Sequence, residues 1–244
     1  APNALHAMAR LIATLHDADG NVAVEGFWAG ATAASPEQRA ELARIPFDVE
    51  AHDASIGIAP SHRAAAEFLE RLWLCPTLDV NGMWGGYTGA GGKTVIPALA
   101  HAKLSMRLVP GQNPEQARDA VARHLRAHCP KGVALSIMNT RDGTYAYSLP
   151  ASHPLLRAAE AALERTTGQT PLRVRMGATL PLADIARNVA GIDTIMFSFA
   201  TADEDFHAPN ENWRESSIAE GFAAWVALLR ALNGVKRAAF SPTK

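Results

Sequence analysis

The stretch of the sequence with the greatest capacity for chemistry is residues 203–211, which read Asp-Glu-Asp-Phe-His-Ala-Pro-Asn-Glu. It places the imidazole of His207 among four carboxylates, just after an apolar run over residues 195–199 that is typical of a buried strand. In open α/β sheets ligands gather beyond the carboxyl ends of the strands, so His207 is a candidate for metal binding or acid–base work. A single histidine does not define a site, and an acidic surface loop with an exposed histidine is the alternative interpretation.

Two further features could bind a substrate. Residues 89–94 read GAGGKT and lack the Gly-x-x-x-x-Gly-Lys-Ser/Thr spacing of a phosphate-binding loop. They fit either a glycine hairpin or a ligand-facing loop that presents the Thr94 hydroxyl. Arg107 lies on the polar side of an alternating run, where its guanidinium could hold a carboxylate through two parallel hydrogen bonds or remain a solvated charge.

The elements that must position these side chains form two regions of different architecture. The region before residue 140 is predicted to be an α+β sandwich with a mostly antiparallel sheet. Residues 99–109 alternate strictly between apolar and polar side chains, which predicts a half-buried strand with a polar face. Capping signals at Ser35 and Asn113, each followed by proline, begin two helices. The other predicted elements are helices over 2–15 and 62–73 and strands over 22–27, 77–81 and 133–137.

The second region alternates helices and strands in the α/β manner, and it begins after a polar connection over residues 140–152. We predict helices over 153–167 and 181–188, strands over 172–175 and 193–199, and a final helix. The apolar residues in register on that final helix are Ile218, Phe222, Trp225, Leu229 and Leu232. Two strands cannot form a parallel sheet that is covered on both faces, so this unit is predicted to be incomplete. We expect the tail, residues 234–244, to be disordered.

Composition excludes several classes of protein. Of the 244 residues, 48% are hydrophobic and 19% charged, which is typical of a globular chain. The net charge of -1 offers no basic surface for nucleic acid, and no run approaches the ~18 apolar residues of a membrane span. Two cysteines, Cys75 and Cys129, form no metal or redox motif, and with no signal peptide they predict reduced thiols in a cytoplasmic protein.

Together these residues resemble the dinuclear-zinc metallopeptidase family of carnosinases and cytosolic dipeptidases, succinyl-diaminopimelate desuccinylase, acetylornithine deacetylase and glutamate carboxypeptidase, with the dipeptidase branch nearest. The resemblance extends to about Asn233. Its most specific stretch is residues 89–110, GAGGKTVIPALAHAKLSMRLVP, and residues 206–211, FHAPNE, resemble the final metal-ligand motif. Residues 2–5, 15–20 and 24–27 resemble the first lid helix and the turn beyond it.

The resemblance implies a two-domain enzyme whose zinc-binding α/β catalytic domain is interrupted by a lid that also forms the dimer. On the matching positions, His207 would be the last zinc ligand and Arg107 would hold the carboxylate of the substrate. Thr94 would reach a substrate, often across the dimer. The loop over residues 175–181 is written Arg-Glu-Gly-Gly-Ser-Ile-Pro in relatives, so Thr179 would replace a substrate-binding serine.

Two departures from the family are visible. Met176 and Ala178 replace the Glu and second Gly of that loop, so the usual preference for dipeptides does not carry over directly to this chain. The other zinc ligands of the family and its glutamate general base lie before the lid and have no counterpart here. The chain also starts without Met, inside a predicted helix. We therefore expect a C-terminal fragment of a longer enzyme.

The predicted fold class is α/β and α+β: an antiparallel-sheet lid and dimerisation domain with helices on one face, plus an incomplete α/β zinc-peptidase catalytic domain. The predicted boundaries are 1–148 for the lid, lacking its first strand, 149–233 for the catalytic part and 234–244 for the tail. The parent enzyme would bind two zinc ions, form a homodimer through the lid, and hydrolyse a peptide or an N-acyl amino acid. This chain alone would hold no zinc or one weakly held ion, would contain no catalytic base and would be inactive.

The alternative belongs to another functional class. The chain could be a non-enzymatic dimerisation or binding module, either a natural truncation or a degenerate paralogue. An upstream reading frame with His-x-Asp and paired glutamates would favour the enzyme, and its absence would favour the module.

Overall fold

The computed structural model describes residues 1–138, 142–177, 180–236 and 240. Contacts divide them into two compact units, one comprising Ala1–Tyr147 with Arg175–Asp184 and the other Ser148–Val174 with the chain from Ile185 onward. Among the described residues, none of the helices has the length and apolar character required to cross a bilayer. The elements in chain order are α1 (Ala4–Ala13), α2 (Pro36–Ala43), α3 (Val49–Ser55), α4 (Ala65–Leu74), β1 (Thr77–Gly85), β2 (Ala100–Arg107), α5 (Pro114–Ala127), α6 (Pro154–Thr167), α7 (Pro181–Ala190), a short 3₁₀ helix (Ala202–Glu204) and α8 (Ser216–Asn233).

The helices with strong local signals begin where the sequence predicts. Ser35 and Gln38 form a reciprocal capping box at the start of α2. The Asn113 side chain accepts the backbone N–H groups of Glu115 and Gln116 at the start of α5. These side chains satisfy the first N–H groups of the helix, which have no partner within the helix itself.

The sheet of the first unit is an antiparallel pair. β1 and β2 align from Thr77 opposite Arg107 to Gly85 opposite Ala100, with a bulge between Val80 and Gly82. The alternation predicted for β2 is confirmed, since one set of its side chains packs on the core while the other set is exposed. The packed residues are Leu104, Met106 and, just beyond the strand, Leu108; the exposed ones are His101, Lys103 and Arg107.

The core of the first unit lies between this sheet and helices α1 and α5. Its buried members are Leu11, Leu15, Val22, Val24, Phe27, Leu78, Ala117, Ala120, Val121 and Leu125. Buried Gln112 ties two loops to this core, because its Nε2 donates to the Phe27 carbonyl at 2.7 Å and its Oε1 accepts from the Val109 N–H at 2.9 Å. Nearby, a Cβ on Gly30 would lie 2.2 Å from the Gly111 carbonyl oxygen, so both backbones need glycine to approach.

Two strands predicted in the first unit are wrong. Residues 22–27 form one isolated bridge, between Val22 and His16, and then a turn that buries Val24 and Phe27. Residues 133–137 are unpaired in the structure, although Leu135 still packs on the core. A strand exists only where a neighbour accepts its hydrogen bonds, and apolar content alone does not supply that neighbour.

The second unit is built on α6 and α8. Its buried core consists of Ala158, Ala159, Ala162, Ala227 and Leu228. The predicted strands 172–175 and 193–199 are wrong in the same sense, because neither pairs with another strand in the part of the chain that the structure describes. Ile195 and Phe197 nevertheless pack on the α6–α8 core, as expected for alternate residues of an extended segment.

The apolar stripe of α8 is largely exposed. The final helix is confirmed, and Leu232 packs on the core, but Phe222 and Leu229 are 73% and 61% exposed. Ile218 and Trp225 are exposed as well. The predicted disorder of the tail covers residues 234–244, of which 237–239 and 241–244 lie outside the described ranges.

Candidate substrate- and metal-binding residues

Arg107 lies at the end of β2 with its side chain exposed on the outer face of the sheet. Opposite it, the Thr77 hydroxyl donates to the Asp79 carboxylate at 2.7 Å. Within the described ranges, no carboxylate lies within 4.0 Å of the Arg107 guanidinium. A guanidinium without an acidic partner can bind an incoming carboxylate with both of its parallel N–H groups.

Thr94 belongs to the long loop that joins the two strands. The Tyr87 hydroxyl donates to the Ala90 carbonyl at 2.8 Å, and the Lys93 ammonium lies 4.6 Å from the centre of the Tyr87 ring. These contacts fold the loop on itself and leave Thr94 exposed. The next residue, Val95, is exposed too, so this segment presents both a hydroxyl and an apolar surface to solvent.

The hairpin places Thr94 and Arg107 at opposite ends. Ala100 follows the loop, and seven residue steps at about 3.3 Å separate it from Arg107, or roughly 23 Å along the strand. That length exceeds the span of a dipeptide, which is about 7 Å for two extended residues. The end of the loop at Ala100 is therefore separated from Arg107 by more than the length of one small substrate.

His207 lies in a tightly turned loop that follows the 3₁₀ helix. Three residues that are not glycine have left-handed backbones here: Asp205 with φ 51°, His207 with φ 60° and Asn210 with φ 70°. Successive turns are closed by hydrogen bonds from the Ala208 N–H to the Asp205 carbonyl and from the Glu211 N–H to the Ala208 carbonyl. The His207 side chain is exposed at the surface of this loop.

Two acids close the base of the loop, and they do so differently. Glu204 is 1% exposed, and its carboxylate accepts the backbone N–H groups of Thr201 and Arg214, each at 3.1 Å. Asp203 is exposed and pairs with the Arg214 guanidinium. Hydrogen bonds from that guanidinium, and then from the Thr201 hydroxyl, hold the pKa of Asp203 well below its usual range.

The sequence did not distinguish Glu204 from its acidic neighbours. It counted only as one of the four carboxylates around His207. The signal that could have identified it is the Thr-x-x-Glu pattern, which is a capping box, and Thr201 and Glu204 form one here.

Zinc requires more donors than this loop offers. Across the described ranges, His, Cys, Asp and Glu nowhere form a group of three or more arranged to hold a metal ion. Asp203 and Glu204 are already engaged by Arg214 and by backbone N–H groups. Because a catalytic zinc site takes about three protein ligands, His207 fits as one ligand and the described residues do not complete the site.

The fourth candidate, Thr179, lies outside the described residues, as does Ala178. Met176 is exposed. Arg175, at the start of the same segment, has its Nη2 3.7 Å from Glu41 Oε2.

Three of the remaining histidines and one cysteine have structural explanations. Burial raises the pKa of the Cys75 thiol, which disfavours the reactive thiolate. His101 stacks on Trp84 with ring centres 5.1 Å apart, and His124 stacks on His128 at 4.0 Å. These contacts account for the three histidines without a catalytic role.

The comparison that decides the family concerns the first unit. A family model described as the peptidase dimerisation domain matches residues 1–133, which is more than half of the chain. The chain belongs to the M20 metallopeptidase family. Its relatives are on the dipeptidase branch: a Beta-Ala-His dipeptidase of Rattus norvegicus is 25% identical over 226 residues, which cover 91% of this chain and 46% of that protein. The Cys-Gly metallodipeptidase DUG1 of Candida albicans is 26% identical over 218 residues, covering 87% and 44%.

Solved M20 structures share the fold. The M20 family metallo-carboxypeptidase Sso-CP2 from Sulfolobus solfataricus superposes with a TM-score of 0.82 at 26% identity, covering 95% of this chain and 52% of that one. Human carnosine dipeptidase 1, at 24% identity and a TM-score of 0.76, supports the fold alone. The chain spans about half the length of the curated relatives it matches. The family and the α/β fold with its antiparallel sheet, both expected from the sequence, are confirmed.

Proposed function

We propose that this M20 chain supplies the dimer-forming and substrate-orienting part of a hydrolase that cleaves peptide or N-acyl amide bonds with a divalent metal, commonly zinc. The observation that carries the proposal is Arg107, an exposed guanidinium with no acidic partner among the described residues, at the end of a strand in a peptidase dimerisation domain. In the proposed organisation, the lid comprises residues 1–148 and residues 149–233 belong to the catalytic domain.

Arg107 is the proposed anchor for the carboxylate of the substrate. Its planar fork matches both oxygens of a carboxylate, and a charge-assisted pair of this kind contributes about 1.5–3 kcal/mol. Fixing one end of the substrate orients the scissile bond, which lowers the entropic cost of reaching the transition state.

Thr94 is the proposed contribution of a second copy. Because β2 separates the end of this loop at Ala100 from Arg107 by roughly 23 Å, we expect Thr94 and Arg107 of one chain not to close on the same dipeptide. In a homodimer, the exposed loop of one copy can reach a substrate held by Arg107 of the other. Thr179 is the proposed third substrate contact.

His207 is the proposed protein ligand that this chain gives to the metal site. One imidazole cannot fix the geometry of a catalytic metal, so the other ligands and the general base must come from residues that the longer relatives carry in their other half. Cys75 and Cys129 are free thiols, which supports a proposed reducing, cytoplasmic compartment.

The test is made in the longer parent enzyme and compares Arg107→Ala with Lys103→Ala, which removes a cation exposed on the same face of the same strand. For a substrate with a free carboxylate, Arg107→Ala should raise KM about 10- to 100-fold with a much smaller change in kcat, whereas Lys103→Ala should change neither. Amidating the substrate carboxylate should impose the same penalty on the parent enzyme and none on Arg107→Ala. Equal sensitivity of both proteins to amidation would contradict the role of Arg107.

A parallel test concerns the metal. His207→Ala should lose bound metal and turnover together. Full activity with unchanged zinc content in this variant would refute the assignment of His207.

A binding module is the second candidate, and the exposed apolar stripe of α8 favours it. A longer parent protein that dimerises, retains no zinc after dialysis against a zinc-containing buffer and hydrolyses no peptide or N-acyl amino acid would support the module. Zinc-dependent hydrolysis would support the enzyme.

A further inference from the structure

We infer that Glu204 is a positioning residue, whose buried carboxylate fastens both ends of the loop over residues 201–214 and thereby holds His207 in the orientation needed for metal binding. The inference rests on the proposed role of His207 and extends it to the residue that acts through it.

The contacts of Glu204 span the whole loop. Its two carboxylate oxygens accept the N–H groups of Thr201 and Arg214, at the two ends of the loop, and its backbone carbonyl accepts the N–H of Asn212 at 3.1 Å. Hydrogen bonds to an ionised acceptor are roughly twice as strong as neutral ones. Because Glu204 is 1% exposed, water cannot easily replace these bonds.

The backbone between these ends needs such a fastening. Asp205, His207 and Asn210 all have positive φ angles, which are uncommon for residues other than glycine. Backbone conformations of this kind persist only where the surrounding structure enforces them. His207 is itself one of the three, so release of the loop ends would change the direction of its imidazole.

The neighbouring ion pair is a weaker candidate for the same task. Asp203 and Arg214 are 65% and 46% exposed, and exposed pairs contribute little because water and salt screen them. The buried acid therefore carries most of the constraint.

The decisive variant is Glu204→Gln, because it keeps the size of the side chain but replaces one acceptor oxygen with a donor that faces a backbone N–H. The matched control is Glu220→Gln, an exposed position on α8. In the intact protein, hydrogen exchange of the peptide over residues 201–214 should become at least about 10-fold faster in Glu204→Gln, with α6 and α8 unchanged. In the longer enzyme that would carry the other metal ligands, zinc affinity, measured with Zn²⁺ alone by chelator competition, should fall about 10- to 100-fold, and the absorption spectrum of bound Co²⁺ should change.

Each outcome decides a separate question. Unchanged exchange of the loop and unchanged zinc affinity in Glu204→Gln would overturn the inference. Unchanged zinc affinity in His207→Ala would overturn the proposed metal ligand, while the exchange data would still decide whether Glu204 fastens the loop. If Glu204→Gln also loses protection in α6 and α8, Glu204→Asp takes its place: it keeps the charge but cannot span both N–H groups. Faster loop exchange in that variant supports the inference, and unchanged exchange refutes it.

Discussion

The two units of the molecule use their apolar residues in opposite ways. The first unit buries large side chains completely, including Leu15, Phe27 and Leu78. The second unit buries mostly alanines against one leucine, Leu228, and leaves most of the other large apolar side chains of α8 exposed.

This difference is energetic as well as geometric. Burial stabilises in proportion to the apolar area removed from water, at about 25 cal/mol per Å², so alanines contribute far less than leucine or phenylalanine. An exposed apolar face of several large residues marks an interaction surface in most proteins. The first unit therefore has a core of large side chains, whereas the second unit has a small core and presents an apolar face that can contact another polypeptide surface.

The largest effect should come from Phe27→Ala in the first unit. Its ring is fully buried, and its loss should lower the free energy of unfolding by about 3–5 kcal/mol. The matched change in the second unit, Leu228→Ala, should cost about 2 kcal/mol, because the alanines around it form fewer contacts. Denaturant unfolding of both variants measures the two losses in the free energy of unfolding. Equal losses would contradict the proposed difference between the two cores.

The next largest loss of stability should come from removing the buried hydrogen bonds of Gln112. Gln112→Leu keeps the volume but leaves the Val109 N–H and the Phe27 carbonyl without partners, which should cost about 2–4 kcal/mol. Gln116→Leu is the control, since that side chain is exposed on α5. A cost below about 1 kcal/mol for Gln112→Leu would mean that water reaches these groups and that the first core is less closed than the contacts indicate.

Local signals account for what could be predicted of this fold. The caps at Ser35 and Asn113 and the alternation of β2 depend on residues within a few positions of each other, and all three are confirmed. Helix α3 was not predicted: it has a local cap at Asp48 but is only seven residues long, and its His52 contacts Phe68, which is distant in sequence. The strand predicted over residues 193–199 was wrong for a similar reason. Its apolar pattern can be read locally, but whether it pairs depends on a strand elsewhere in the chain.

The candidate site shows the same limit. The identities of Arg107 and His207 could be read from motifs, and both occupy exposed positions. The separation of Thr94 from Arg107 depends on the register of the hairpin, and the burial of Glu204 depends on the approach of residues 201 and 214. Neither follows from the spacing of residues in the sequence.

A smaller effect is expected on the exposed face of the second unit. Phe222→Ser should change the stability of the 244-residue chain by no more than about 0.5 kcal/mol, because the ring is 73% exposed. It should also reduce binding of a dye that reports exposed apolar surface. A loss well above about 1 kcal/mol would show that Phe222 belongs to a core, and the contrast between the units would have to be abandoned.

The smallest effect concerns pH and the first unit alone. Partial burial, and then repulsion from His128, lowers the pKa of His124, whose Nε2 lies 2.9 Å from the Thr14 hydroxyl oxygen. Below the unfolded value of about 6.5, the unfolded chain takes up this proton more readily than the folded one, so stability should fall as the pH drops from there toward the folded pKa and stay level above it. Hydrogen exchange should show the slope in α1 and α5 but not in α6 and α8. His124→Gln should flatten the slope, while His6→Gln, exposed on α1, should leave it intact. An unchanged slope in His124→Gln would place the titrating group elsewhere in the molecule.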